Sequence, residues 1–168
     1  MEAVVYTSNT GSTEHYAKLL GHELSVSVYS TEEAGNKLPA GTEIIYLGWI
    51  MAGKIQGYGL ARKKYKICAV CAVGMGQTGT QRKEIRKKNN IPGKIPVFTL
   101  QGNFSVEKLH GMYKMMMSIM VKTAGKVLEK KTDRTPEEDD MLDMMMHGGE
   151  RVRIQNLQGV ISWYNGKR

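Results

Sequence analysis

Near the start of the chain, an apolar run gives way to Tyr6-Thr7-Ser8-Asn9-Thr10-Gly11-Ser12-Thr13, a stretch of hydroxyl, amide and glycine residues. A turn of this composition between a strand and a helix presents backbone N–H groups at the positive end of a helix dipole, where an anion is favoured. Ser8, Thr10, Ser12 and Thr13 add hydroxyl donors. The loop has no lysine, and a Walker A loop requires Gly-Lys-Ser/Thr, so a nucleoside triphosphate with magnesium is not the expected ligand. A single terminal phosphate held by neutral donors fits better. The alternative is a polar turn that starts a helix and binds nothing.

The other reactive side chains are sparse. Cys68 and Cys71 are the only cysteines. Their spacing resembles a redox or zinc pair, but they lie in Ile67-Cys68-Ala69-Val70-Cys71-Ala72-Val73, which reads as a buried strand. Residues three apart on a strand sit about 10 Å apart on opposite faces, and a disulfide needs Cα atoms within about 7 Å. A structural zinc site needs further ligands. The expectation is two inert, buried thiols. His15 and His22 are seven apart on one helix, which is too few ligands for a metal. Gly74-Met75-Gly76-Gln77-Thr78-Gly79 spells a dinucleotide fingerprint. That motif belongs in the first strand–helix unit and needs an acid about 20 residues later, whereas residues 94–102 contain neither Asp nor Glu. No side chain stands out as a general acid or base.

The elements that must position these residues follow from periodicity. Strands are expected over 2–6, 26–29, 43–47, 67–73 and 95–100. Helices are expected over 13–23, 60–65 and 80–89, with glycine-rich loops over 48–59 and 74–79. Alternating strands and helices predict an α/β fold: a five-stranded parallel sheet with helices on both faces. Beyond residue 104 the chain reads as helical. A long helix is expected over 105–130. A second starts at Thr135-Pro136-Glu137-Glu138, a capping box with proline at the first helical position, and ends at His147-Gly148-Gly149. A last helix is expected over 157–164. With 168 residues and no linker or repeat, one domain is expected: a core of βα units over 1–104 and a helical part over 105–168.

The charge is uneven. There are 24 Lys and Arg against 16 Asp and Glu, yet 54–94 alone holds 11 of the basic residues and a single acid, Glu84. Such a segment is either a solvated helix face or a docking surface for an acidic partner, an anionic membrane or nucleic acid. Tyr58 and Tyr65 are the only aromatics among these basic residues, and no nucleic-acid recognition motif is present, so nucleic acid is not the expected partner. There is no apolar run of the ~18–20 residues that span a bilayer and no secretory signal pattern. A cytoplasmic protein, at most peripheral to a membrane, is expected.

The stretch Val4-Val5-Tyr6-Thr7-Ser8-Asn9-Thr10-Gly11-Ser12-Thr13, with Ala17 and Leu20 behind it, resembles the flavodoxin signature. The order of elements over 1–104 also resembles a flavodoxin. The resemblance implies a three-layer sandwich with sheet order 2-1-3-4-5, and flavin mononucleotide (FMN) at the carboxyl edge beside the first strand. By the same likeness, Ser8, Thr10 and Thr13, with the N–H groups of Asn9, Thr10, Gly11 and Ser12, would hold the phosphate. The loops after the third and fourth strands would line the ring: Gly48, Trp49, Ile50, Met51, Ala52 and Gly53, then Gly74, Met75 and Gly76. Trp49 would stack on the isoalloxazine or serve as a rim or core tryptophan. A peptide at Gly48 or Gly53 would reorient with flavin redox state.

Nine of the twelve methionines lie between 112 and 146. Met112, Met115, Met116, Ile119 and Met120 share one helical face, extended by Leu109, Tyr113, Met117 and Val121 and flanked by Lys108, Lys114, Lys122 and Lys126. This face would pack on the sheet, lie on an anionic membrane, or bury a hydrophobic substrate or a second subunit, giving a homodimer. The turn Gln101-Gly102-Asn103-Phe104 and this helix look like a flavodoxin-like family that includes the menaquinone-dependent protoporphyrinogen IX dehydrogenases. The likeness implies a flavin redox protein whose partners are an electron donor or acceptor protein, or a quinone. Two other readings stay open: a flavodoxin fold that binds a partner without flavin, and a basic nucleic-acid-binding domain.

Overall fold

The computed structural model describes residues 1–104 and 111–167, without the side chains of residues 113, 116 and 117. The core is a parallel sheet. β1 (Ala3–Thr7) lies between β2 (Ser27–Ser30) and β3 (Glu43–Met51), and β5 (Lys66–Gly74) joins β3 to β6 (Val97–Gln101). The two-residue β4 (Lys54–Ile55) folds back antiparallel on the end of β3. Leaving that short strand aside, the order β2-β1-β3-β5-β6 is the expected 2-1-3-4-5 arrangement.

Period-two alternation divides the strand side chains between two cores. Ala3, Val5, Ile44, Tyr46, Val70 and Ala72 face one layer, with α2 (Thr31–Lys37), α3 (Tyr58–Lys64) and α4 (Arg82–Lys88). Val4, Ile45, Leu47, Ala69, Cys71 and Leu100 face the other, with α1 (Ser12–Leu24) and α7 (Gln158–Asn165). Of the residues at helical spacing in the sequence, Tyr16, Leu20 and Leu24 of α1 are buried and Leu19 is half-buried; Ala17 is buried beside them.

Four features differ from the sequence expectation. The third strand continues through Gly48 to Met51, so the expected loop begins with a hairpin. The unexpected α2 is short and contains Gly35 and Asn36, but a Ser30–Glu33 capping box starts it. Cys68 is a β-bulge: Ile44 pairs with Ile67 and Ile45 with Ala69. The extra residue turns Ile67 to the same face as Val70 and leaves Cys68 half-buried rather than buried. Cys71 is buried as expected, and its thiol is pushed well up by desolvation. Both cysteines are free.

The C-terminal part is helical, as expected. α5 (Gly111–Lys130) packs mainly on α6 (Pro136–His147). The expected start of this helix over 105–110 lies outside the described residues. α6 has the predicted capping box and N-terminal proline. A 3-10 turn (Ile154–Leu157) leads into α7.

Candidate functional site

The carboxyl edge of the sheet holds two adjoining cavities. The smaller, about 80 Å³, opens between the loop after β1 and the ends of β3, β5 and β6. Asn9, Thr10, Ser12 and Thr13 line one side of it, and Trp49, Ile50, Met51, Gly74 and Met75 another. The larger, about 360 Å³, shares Ile50, Met51, Gly74 and Met75 and adds Ala52, Gly53 and Gly76. Its outer wall is apolar: Met120 and Ala124 from α5, and Met141 and Met145 from α6.

The loop after β1 has features that suit an anion. Gly11 is the N-cap of α1 at φ 97°, a left-handed conformation that favours glycine. No side chain caps the helix, so its first N–H groups lack the usual side-chain acceptor. Among the described residues, Ser8 Oγ is the one buried side-chain nitrogen or oxygen without a hydrogen-bond partner. Such an orphan costs about 1–3 kcal/mol when nothing fills its bond. Together these features fit a phosphate bound by neutral donors. Ser12 is committed elsewhere: its Oγ accepts from Asn103 N at 3.0 Å and fastens the loop after β6 to α1.

Close backbone approach shapes the opposite wall. A Cβ on Gly102 would stand 2.9 Å from Val73 Cγ1 and 3.2 Å from Ser12 Cβ, so the chain there can only be glycine without a shift. The end of β3 is a tight hairpin in which Ile50 pairs with Ile55 and Met51 with Lys54. Its two turn residues, Ala52 (φ 48°) and Gly53 (φ 77°), are both left-handed, as a type I′ turn demands. Asn89 fastens this hairpin to α4, accepting from Ile55 N at 2.8 Å and donating to Gly53 O at 2.9 Å. A flat ring would meet a rim whose shape is fixed from behind.

Gly48 lines neither cavity. It sits inside β3, paired with Thr7 on one side and Ala72 on the other. An added Cβ would meet Ile55 Cγ2 at 2.5 Å. A peptide locked in a ladder on both sides does not reorient, so that role fails for Gly48; Gly53, in the turn, is placed at the rim. Trp49 is half-buried on the smaller cavity.

Several residues that hold the site escaped the sequence. Gln101 Nε2 donates to Asp140 Oδ2 at 2.5 Å and to Met75 O at 3.3 Å. Arg151 approaches Asp140 at 3.4 Å and Asp143 at 3.2 Å. Asn103 Oδ1 accepts from the N–H groups of Arg151 and Val152. Tyr16 OH donates to Gln101 O at 2.6 Å. Gln101 and Asn103 were visible beside Gly102, but nothing local marks Asp140 or Arg151 as their partners.

The basic segment is not one patch. Arg62, Lys63 and Lys64 occupy the last turn of α3. Lys64 O accepts from Gly41 N, where β3 and β5 begin, so the cluster lies at the sheet edge away from the cavities. Lys54 and Lys88 are the cations at the hairpin: Lys54 Nζ donates to Lys88 O, and the Lys88 side chain lies across Gly53. Among the described residues, no group of three His, Cys, Asp or Glu could hold a metal ion.

A family model for the flavodoxin domain matches residues 3–134. The chain belongs to the flavodoxin family. The flavodoxin match covers the whole sheet and continues through α5; α6 and α7 lie beyond it. No match to the chain is found among curated proteins. In this flavodoxin domain, then, the Ser/Thr-rich loop, the hairpin and the loop after β5 meet at the carboxyl edge.

Proposed function

We propose that this protein binds one FMN at the carboxyl edge and works as a flavin redox protein. The observation that carries the reading is Ser8 Oγ, buried without a partner at the foot of an uncapped helix. Ser8, Thr10 and Thr13, with the N–H groups that start α1, would hold the phosphate. Trp49, Met51 and the Ala52–Gly53 turn would bound the ring on one side, and Gly74 to Gly76 on the other. The bound flavin would supply the capacity to accept and release electrons. The chain's own part is to orient it, keep water from one face and admit a partner at the other.

The apolar wall of Met120, Met141 and Met145 favours an apolar acceptor, such as a quinone, over a polar one. Titration with FMN tests the first step. Saturable one-to-one binding with quenched flavin fluorescence is expected; absence of saturable binding sinks the reading and favours a partner-binding module that has lost its flavin. Reoxidation of the reduced, FMN-loaded protein by a menaquinone analogue tests the acceptor. The narrower reading, with a protoporphyrinogen-type tetrapyrrole as electron donor, predicts porphyrin fluorescence rising in the same assay.

A further inference from the structure

Among the described residues, nothing covers one face of α5 that is rich in large apolar side chains. Met112, Met115, Ile119 and Val127 are 65, 60, 55 and 69% exposed. At 100° per residue they fall within an arc of about 120°. Met120 and Ala124, next to the Val127 edge of this arc, face the larger cavity. Lys122 borders the exposed arc, and Lys126 and Lys130 fall within it toward the C-terminal end of the helix, as does Thr123; all four are exposed. Glu129, at the border, is the single acid of α5.

We infer that this face of α5 docks the protein on an anionic lipid bilayer, with the helix lying in the plane of the interface. Methionine, isoleucine and valine side chains would enter the boundary between headgroups and acyl chains. The lysine stems reach up along the apolar surface while their ammonium groups meet lipid phosphates. The helix lies on the surface and does not cross it, because no helix among the described residues is long and apolar enough to span a membrane. Charge decides against a second copy of the chain on the same face. A two-fold contact is self-complementary and would set the lysine rows of both copies together, with only Glu129 from each to offset them. The inference does not depend on flavin being bound.

Flotation of the full chain with vesicles tests it. Binding is expected to vesicles of phosphatidylcholine mixed with phosphatidylglycerol, falling as salt rises, and not to phosphatidylcholine alone. Lys122→Glu with Lys126→Glu should weaken binding about tenfold or more, and Met115→Ser with Ile119→Ser should do likewise. All four positions are exposed, so unchanged thermal melts will show that the variants fold. Three results overturn the inference: no binding to the mixed vesicles, equal binding to neutral ones, or unchanged binding by both variants. A dimer in solution that Met115→Ser with Ile119→Ser abolishes would assign the face to a second copy instead.

Discussion

Thr7 Oγ1 lies 2.7 Å from the hydroxyl of Tyr46, joining the end of β1 to the middle of β3 beneath the candidate site. The Tyr46 hydroxyl also donates to Gln56 O at 2.7 Å, and Thr7 meets Thr31, which donates to Tyr6 O. Three hydroxyl protons thus serve four contacts. Tyr46→Phe removes one proton and two contacts and leaves the Thr7–Thr31–Tyr6 chain matched, so it should cost only about 1 kcal/mol in denaturant unfolding.

The same residue gives a pH signature. Burial pushes the Tyr46 hydroxyl up to about 12, with the nearby Thr7 and Thr31 hydroxyls opposing the shift. The unfolded chain releases this proton near pH 10, so the folded state holds it longer. The stability it contributes is present below pH 10 and is lost as pH rises from there to about 12. Thermal melts across that window should fall more steeply for the wild type than for Tyr46→Phe; parallel curves would show that Tyr46 does not control the slope.

Ser8→Ala should move two measurements in opposite directions. Without ligand, removing a buried hydroxyl that bonds nothing should stabilise the protein by about 1 kcal/mol. With FMN present, losing a bond to a charged phosphate should weaken affinity by about tenfold or more. An ordinary structural serine would lose stability and leave affinity unchanged. Melts with and without FMN distinguish the two.

Charge reversal should separate the two basic clusters. Lys54→Glu with Lys88→Glu alters the field at the hairpin. Arg62→Glu, Lys63→Glu and Lys64→Glu alter it at the opposite sheet edge. Stopped-flow reduction of the FMN-loaded protein by anionic dithionite at low salt should slow for the first set and stay near the wild-type rate for the second. Equal slowing by both would mean that net charge governs the encounter.

Asp140 is the acceptor through which α6 is held to the sheet edge, by Gln101 and Arg151. Asp140→Ala removes one acceptor from each donor, leaving Asp143 to Arg151 and Met75 O to Gln101, and should lower the local stability of α6 by about 1 kcal/mol. Amide exchange should quicken in α6 and stay unchanged in β1, β3 and β5. Uniform quickening would mean that α6 and the sheet open together.

What the sequence revealed was local or periodic. The β1–loop–α1 unit was legible because Val4, Val5 and the Ser/Thr run are contiguous, and Tyr16, Leu19, Leu20 and Leu24 repeat at helical spacing. The α6 start was legible because a capping box is written in four residues. The type I′ hairpin was hidden because Ala52 is not a residue that announces a left-handed turn. The Cys68 bulge was hidden because it is set by pairing with Ile44 and Ile45, far away in sequence. Arg62 to Lys64 follow the rim loop in sequence, yet α3 carries them to the opposite sheet edge, a separation that pairing and not sequence proximity decides. Gln101, Asp140 and Arg151 meet only through tertiary packing.

α5 presents Met120 and Ala124 to the cavity and Met112, Met115, Ile119 and Val127 to the outside. Because the two sets occupy different positions of one helix, a point mutation alters one and spares the other. On the readings proposed above, the surface that the protein docks on and the compound that its cavity takes would be inherited through separate codons of a single element. Natural variation in one trait can accumulate while selection holds the other constant.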